Sequence, residues 1–206
     1  DVCSSDLITG ETARKQNANR VLETLSDMAG DFVVATAGPD LESVLSAKGA
    51  GSDRLSEEKR EVVANIDIGG GTSNIAFFYK GIPKGTACLD IGGRLIKVEN
   101  GKISYIFPSI QKLAESHGIQ IQVGDRACEK TLYRVCEYMA QQLAMALYIE
   151  EPDGFHAGLY TNNGKPLPRQ PVIQAVTFSG GVADCMLHEE EEVFRYGDVD
   201  RKSTRL

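Results

Sequence analysis

The chain has 206 residues, and its 22 Lys and Arg residues against 29 Asp and Glu residues give a net charge of −7. A hydrophobic content of 42% with 7% aromatics is typical of a globular protein and argues against collagen-like, coiled-coil and disordered chains. The acidic balance argues against binding nucleic acid or an anionic membrane through net charge. Glycine is in excess, because 21 residues are about a tenth of the chain against a usual ~7%.

The two ends differ from the rest of the chain. Residues 1–7 lack periodicity, and residues 200–206 are abruptly basic after an acidic stretch. We therefore expect both segments to be non-native tails, and the chain to be an internal piece of a longer protein. The five scattered cysteines include no CxxC pair and predict reduced cytosolic thiols. No apolar run approaches the ~18 residues of a membrane span.

The first predicted elements precede the glycine clusters. Apolar spacing predicts a helix within residues 11–29, and the compact apolar run 31–37 predicts a buried strand. Residues 40–48 fit a short helix that ends at Gly49. Ser56 is expected to cap one more helical turn.

From residue 62 onward the pattern changes to short strands and helices. Strands are predicted for residues 62–68, 73–79, 84–90 and 172–178. The Asn100-Gly101 pair predicts the turn of a hairpin between residues 95–98 and 102–107. Ser109 is expected to cap a helix that runs to Ser116.

The longest helical pattern lies within residues 125–149. Its apolar stripe comprises Leu132, Val135, Cys136, Met139, Leu143 and Leu147. Prolines and the Asn-Asn-Gly triplet predict a loop over 151–171, to which we assign no role. A further helix is predicted from Val182 onward. His117 and His156 are expected at the surface or in loops.

The first glycine cluster follows the predicted strand 62–68. Gly69, Gly70 and Gly71 remove every Cβ from one turn, so backbone N–H groups can approach a phosphate closely. Thr72 adds a hydroxyl donor. The carboxylate of Asp67 suits Mg²⁺, because hard cations take oxygen ligands. The alternative is a plain hairpin turn with a strand-end aspartate.

The second cluster, Ser179-Gly180-Gly181, follows another predicted strand and precedes a helix. Backbone contacts there suit an adenosine, although an ordinary strand-to-helix turn explains the same residues. Gly92-Gly93 follows a third strand and could line the same cleft. The P-loop, the dinucleotide fingerprint and the nucleophile elbow are all absent from the sequence.

Together, these motifs resemble the actin, heat-shock chaperone and sugar-kinase ATPase superfamily. Within it the chain is most similar to the EutA family, the reactivating factors of ethanolamine ammonia-lyase. Four stretches carry this resemblance: residues 8–14, 30–44, 65–74 and 85–95. The resemblance makes residues 67–72 the second phosphate loop and residues 179–181 the adenosine loop. The implied nucleotide-binding residues are Gly69, Gly70, Gly71, Thr72, Ser73, Gly92, Gly93, Ser179, Gly180 and Gly181, with Asp67 as the catalytic and magnesium-binding residue.

The resemblance also implies a fold, cofactors and a partner. The fold would be the α/β, RNase-H-like fold of these ATPases, with residues 8–61 ending the first half and 62–199 forming the second. Strands within 62–107 would open that half, with the long helix packed beneath. ATP and Mg²⁺ would be the cofactors, and adenosylcobalamin-dependent ethanolamine ammonia-lyase the partner. The protein would act in the cytoplasm, with association with a bacterial microcompartment compatible with this role, and would bind neither nucleic acid nor membrane.

Two departures and two alternatives accompany the resemblance. The family's first phosphate loop, of Asp-Ile-Gly-Thr type, and most of the region after the adenosine loop are missing from the chain. We therefore expect the 206-residue chain alone to bind ATP poorly and to hydrolyse it negligibly.

The alternatives are a small-molecule kinase, which needs a substrate-side carboxylate that the sequence does not single out, and an actin-like nucleotide-binding scaffold.

Overall fold

The computed structural model describes residues 39–161, 164–169 and 171–186. The helix predicted within 11–29, the strand at 31–37 and the two predicted tails lie outside the described residues. The described part is a mixture of helices and short strands. None of its helices combines the length and the apolar character needed to cross a lipid bilayer.

Two short helices precede the first strand. Helix α1 spans Pro39–Gly49, which confirms the helix predicted for residues 40–48. Helix α2 spans Ser52–Lys59 and begins directly after Gly51. The φ of Gly51 is 78°, a left-handed conformation that glycine adopts without the steric cost of a Cβ. The chain can therefore reverse sharply between the two helices.

The prediction that Ser56 caps a helical turn is wrong. Ser56 lies inside α2 and is fully buried. Its hydroxyl donates to the carbonyl of Asp53 at 2.7 Å and accepts the backbone N–H of Gly81 at 2.9 Å. A serine inside a helix satisfies its hydroxyl on a preceding carbonyl, and here it also fastens α2 to a turn of the sheet.

Four of the six described strands form one mixed sheet in the order β3-β2-β1-β6. The strands are β1 (Val62–Ile68), β2 (Ser73–Tyr79), β3 (Ile82–Leu89), β4 (Ile96–Glu99), β5 (Lys102–Ile106) and β6 (Ala175–Ser179). β2 pairs antiparallel with both β1 and β3, whereas β6 pairs parallel with β1. This mixed sheet with its helices confirms the α/β, RNase-H-like fold expected of the superfamily.

The predicted bounds of β1 and β2 are confirmed, whereas those of β3 and β6 shift. β3 begins at Ile82 instead of residue 84, because Lys80 and Gly81 adopt positive φ angles and close a tight turn after β2. Pro83 is tolerated because β3 is an edge strand among the described residues. β6 begins at Ala175 instead of residue 172.

The predicted hairpin is confirmed, but it does not join the main sheet. β4 and β5 pair only with each other among the described strands. Asn100 and Gly101 form the turn with φ angles of 51° and 72°, the left-handed pair that a two-residue hairpin turn requires. The strands within 62–107 therefore divide into three that build the sheet and two that form a separate ribbon.

Two helices complete the core. Helix α3 spans Pro108–Ser116 and begins after Phe107, so Ser109 lies in its first turn and is not the predicted cap. Pro108 occupies the first turn, where its missing N–H costs nothing. Helix α4 spans Glu129–Ala146. The whole predicted apolar stripe of the long helix is buried, and it shares one cluster with side chains of the main sheet and of the β4–β5 hairpin.

The described residues of 151–171 form the predicted loop, and His156 lies in it, but His156 is buried instead of lying at the surface. His156 is 3% exposed and begins a short 3₁₀ turn, His156–Leu159. Its Nδ1 lies 2.9 Å from Gln142 Oε1, and its Nε2 lies 3.0 Å from the Tyr160 hydroxyl. Gln142 in turn donates to the carboxylate of Asp153. A buried chain of hydrogen bonds therefore attaches this loop to α4.

These buried hydrogen bonds of His156 predict how the stability of the protein depends on pH. Burial lowers the pKa of His156 below its usual 6.5, against the smaller opposite effect of the Asp153 carboxylate. As pH falls through about 6.5, the unfolded chain takes up the proton before the folded protein does, so the free energy of unfolding falls. We expect a lower urea midpoint at pH 5.5 than at pH 7.5, and a smaller difference in a His156→Gln variant.

The carboxylate of Asp153 does not contribute to the difference in stability between pH 5.5 and pH 7.5. Burial raises its pKa, but hydrogen bonds from Gln142 and from the backbone N–H groups of His156 and Phe155 outweigh that effect and lower it. Stability from a lowered carboxylate pKa is lost only as pH falls below about 4. An equal pH dependence in His156→Gln and in the unmodified protein would contradict the assignment to His156.

Candidate functional site

The predicted site residues meet at one end of the main sheet, the end at which β1 and β6 terminate. β1 and β6 run parallel, so Ile68 and Ser179 end them at the same edge, while β2 begins there and β3 ends there. Crevices outside the carboxyl ends of strands are where α/β sheets bind ligands. We call this region the glycine edge and define it as residues 67–73, 91–94 and 179–181.

The turn between β1 and β2 is held by backbone hydrogen bonds from the segment after β3. Gly69 donates to the carbonyl of Thr72 at 2.9 Å and closes the turn itself. Gly93 donates to the carbonyl of Gly69 at 3.0 Å, and Arg94 donates to that of Gly70 at 2.7 Å. These bonds fix the path of the turn while leaving its three glycines partly exposed.

Gly92 is buried directly against this turn. A Cβ on Gly92 would lie 2.6 Å from the carbonyl carbon and oxygen of Gly70 and 2.7 Å from the nitrogen of Gly71. Real Cβ atoms do not approach backbone so closely, so only glycine allows the two segments to touch. Gly92 and the buried Gly93 thus shape the turn, and their contact with a ligand stays a prediction.

The two hydroxyl residues of the turn are also buried. Ser73 is fully buried and donates to the carbonyl of Ile91 at 2.8 Å, which ties the start of β2 to the segment after β3. Thr72 is 7% exposed. The hydroxyl proton of Ser73 is therefore used within the protein, and contact of either residue with a nucleotide stays a prediction.

Asp67 and the second glycine cluster lie side by side. The hydroxyl of Ser179 donates to Oδ1 of Asp67 at 3.0 Å. Gly180 has a φ of 89°, and a Cβ there would lie 2.5 Å from the carbonyl oxygen of Ile68 and 2.7 Å from Asp67 Oδ1. By contrast, nothing lies within 4 Å of the position that a Cβ on Gly181 would take. The two clusters therefore form one continuous surface.

Sequence reasoning missed a set of polar residues behind Asp67. Asn65 is fully buried, and its side-chain amide contacts Ser179 at 2.9 Å and Thr177 at 2.9 Å. Thr177 in turn contacts Ser52 of α2 at 2.7 Å. The signal is present in the sequence as polar residues two apart within apolar strands, because such residues share one face of a sheet.

Arg94 was also missed. Its side chain lies along the glycine turn, since a Cβ on Gly70 would be 3.2 Å from Arg94 Cδ. The sequence places this cation directly after Gly92-Gly93, which was the available signal. A guanidinium-bearing side chain beside a turn rich in backbone N–H groups favours an anionic ligand.

The donor set of this edge suits magnesium better than a transition metal. In the described ranges no group of three His, Cys, Asp or Glu side chains is placed to hold a metal ion. Magnesium usually needs only one or two protein carboxylates, because phosphate oxygens and water complete its shell. The partly exposed carboxylate of Asp67 beside the glycine turn fits that requirement.

Comparison with known proteins gives the same family. The family model described as "Ethanolamine utilisation protein EutA" matches residues 5–202. The ethanolamine ammonia-lyase reactivase EutA of Escherichia coli (strain K12) is 36% identical over 205 residues, covering 94% of this chain and 41% of the relative. The protein of that name from Salmonella typhimurium (strain LT2) is 36% identical over 198 residues, with the same coverage.

Among solved structures, the crystal structure of the Aquifex aeolicus member of the Ppx/GppA family shares 18% identity and a TM-score of 0.45, covering 90% of this chain and 45% of that one. The chain spans about two fifths of the length of the two EutA relatives. The matched range and the identity over nearly the whole chain confirm the resemblance found in the sequence. The chain belongs to the EutA family of ethanolamine utilisation proteins.

Proposed function

We propose that the protein containing this chain is an ATP-dependent reactivating factor for ethanolamine ammonia-lyase. In this role it exchanges damaged cobalamin in the lyase for intact adenosylcobalamin. Membership of the EutA family supports the role, as do two relatives that carry the name reactivase. The observation that carries the nucleotide part is the glycine edge, where one carboxylate and two glycine clusters meet.

The phosphate side of the proposed site is the turn from Gly69 to Thr72. Its three glycines are partly exposed, and its path is fixed by backbone bonds from Gly93 and Arg94. A turn of fixed shape without Cβ atoms can direct N–H groups at a phosphate without reorganising on binding. The acidic net charge does not oppose this, because the donors are local.

Asp67 is proposed to hold the magnesium ion and to be the catalytic residue. Bound Mg²⁺ supplies neutralisation of the negative charge on the phosphates. The protein's own contribution is to hold the carboxylate, and the hydroxyl of Ser179 does this through its bond to Oδ1. Asp67 is partly exposed at the end of β1, so a ligand at the edge can reach it.

The adenosine side is proposed to be Ser179, Gly180 and Gly181. Gly180 turns the chain away from β6, and the space around the Cβ position of Gly181 is open. The phosphate turn and this cluster are separated by more than a hundred residues of sequence, yet they adjoin in space. A nucleotide that contacts both would lie across the neighbouring ends of β1 and β6. Contacts that differ between the nucleotide-bound and nucleotide-free states are what a nucleotide-driven factor needs to change its affinity for a partner.

The remaining assignments follow from this role. The partner is the adenosylcobalamin-dependent lyase, and the place of action is the cytoplasm, in association with a microcompartment where the lyase is enclosed. Residues 8–61 are proposed to end one RNase-H-like half and residues 62–199 to form the other. The described sheet and α4 fall within the second of these.

The role is tested by reactivation of a blocked lyase. Ethanolamine ammonia-lyase loaded with an inactive cobalamin is mixed with the purified gene product that contains this sequence, ATP, Mg²⁺ and adenosylcobalamin. We expect lyase turnover to return and the inactive cobalamin to appear free in solution, where its absorbance measures it. Omitting ATP or Mg²⁺ should prevent both. Equal recovery without nucleotide, or no recovery in the complete mixture, would contradict the proposal.

A further inference from the structure

Behind Asp67 lies a continuous chain of side-chain hydrogen bonds that leads into the sheet. It runs from Ser52 in α2 to Thr177 in β6, crosses to Asn65 in β1, returns to Ser179 and ends at Asp67. Each step is between 2.7 and 3.0 Å. Ser52 and Asn65 are fully buried, so the interior end of the chain is shielded from water.

The direction of the protons in this chain is determined by its last member. An ionised carboxylate only accepts hydrogen bonds, so Ser179 must donate its single hydroxyl proton to Asp67 Oδ1. The oxygen of Ser179 is then free to accept, and Nδ2 of Asn65 donates to it. The hydroxyl of Ser179 therefore relays a donor from the buried amide to the carboxylate.

The direction of the hydrogen bond at the other end of the Asn65 amide is determined in the same way. Oδ1 of Asn65 accepts the hydroxyl proton of Thr177 at 2.9 Å, a shorter contact than the 3.3 Å from that hydroxyl to the Ala64 carbonyl. With its proton used, Thr177 accepts from Ser52. All donors in the chain thus run from α2 toward Asp67.

Rotating the amide of Asn65 by half a turn would break this arrangement. Its oxygen would then face Ser179, and the hydroxyl of Ser179 would have two acceptors, Asn65 and Asp67, for one proton. Either the fully buried amide oxygen of Asn65 or the partly exposed carboxylate of Asp67 would then lose its hydrogen bond from Ser179. The amide orientation that serves Asp67 is therefore the stable one.

We propose that Asn65 is a positioning residue that acts through Ser179 to hold the carboxylate of Asp67 in place. This inference rests on the proposed function, because it assigns a purpose to the orientation of the magnesium-binding carboxylate. Asn65 itself does not touch the ligand. Without the amide, the hydroxyl of Ser179 is free to rotate, and the carboxylate loses a donor of fixed direction.

The test is a cycle of variants in the gene product that contains this sequence, read out as affinity for Mg·ADP by calorimetry. Asn65→Leu keeps the approximate volume and removes both ends of the amide. We expect it to weaken Mg·ADP binding about tenfold, as loss of a supporting shell around a metal ligand does. Ser52→Ala, at the far end of the same chain, should change the affinity less than about twofold because Asn65 keeps its bond to Thr177.

Ser179→Ala separates a positioning role from a merely structural one. If Asn65 acts through Ser179, Asn65→Leu causes no further loss of affinity in the Ser179→Ala background. A full further tenfold loss in that background would overturn the proposal. Where Asn65→Leu does not fold, Asn65→Ala replaces it in the same cycle with the same expected outcome.

A second readout keeps this inference distinct from the proposed function. If the unmodified protein binds no Mg·ADP, the proposed function fails, and the cycle is then read by urea unfolding without ligand. We expect the midpoint shifts of Asn65→Leu and Asp67→Ala to be non-additive when Ser179 is present and additive after Ser179→Ala, because Asp67→Ala removes the acceptor of the Ser179 hydroxyl. Additive shifts in both backgrounds would show that Asn65 does not act on Asp67 through Ser179.

Discussion

Replacing Gly180 with alanine is expected to lower the free energy of unfolding by about 3 kcal/mol, a sum of left-handed backbone strain and overpacking. The φ of 89° is one that residues with a Cβ rarely adopt. The added methyl would also meet the Ile68 carbonyl oxygen and the carboxylate of Asp67 within 2.7 Å. Urea unfolding of the two proteins measures the difference.

Gly181→Ala is the matched control for this change. It adds the same methyl group one residue later, where nothing lies within 4 Å of the new atom. Gly181 begins helix α5 (Gly181–Met186), so alanine should leave stability unchanged or slightly raise it. Equal destabilisation by both substitutions would show that the tight contact at Gly180 is not what makes glycine necessary there.

Asp67→Asn is expected to reduce the rate of lyase reactivation at least about a hundredfold. Removing a residue that only supports a metal ligand costs up to about a hundredfold, and Asp67 is proposed to be the ligand itself. The amide oxygen can still accept the hydroxyl of Ser179, so the fold of the edge should persist. What is lost is the negative charge that a hard cation requires. The rate of return of lyase turnover in the reactivation assay measures the effect.

Asp125→Asn is the control for that substitution. Asp125 accepts the backbone N–H of Gln122 in a turn beside β5, outside the glycine edge. The same loss of one negative charge there should change the reactivation rate less than about twofold. Full activity in Asp67→Asn would refute the magnesium-binding assignment. An equal loss in Asp67→Asn and Asp125→Asn would show that the change in net charge causes the loss of activity.

The elements that depend on local pattern were predictable. The apolar runs of residues 62–68 and 73–79 predicted β1 and β2 with correct bounds, because both strands are buried along almost their whole length. Asn100-Gly101 gave the hairpin, since its turn requires two left-handed residues. The stripe of α4 identified its buried face.

Features that depend on tertiary contacts were not predictable. Ser56 resembles a helix cap, but α2 begins earlier, at Ser52, because Gly51 supplies the reversal. His156 lies in a proline-rich loop, yet Gln142 from α4 gives it a buried partner. A histidine in a loop sequence carries no sign of such a partner.

The candidate site shows the same division. The glycines and Asp67 could be chosen from the sequence because each removes a Cβ or adds a charge at a strand end. The role of Asn65 depends on the register that places β6 beside β1, with Asp67 opposite Ser179 and Asn65 opposite Thr177. Pairing between segments more than a hundred residues apart is not encoded in either segment alone.

The measurement that tests the central claim most directly is the affinity of the gene product for ADP with and without Mg²⁺, compared between the unmodified protein and Asp67→Asn. If the glycine edge binds the phosphates and Asp67 holds the metal, Mg²⁺ should strengthen binding in the unmodified protein and have little effect in Asp67→Asn. The same strengthening by Mg²⁺ in both proteins, or no ADP binding in either, would contradict the account.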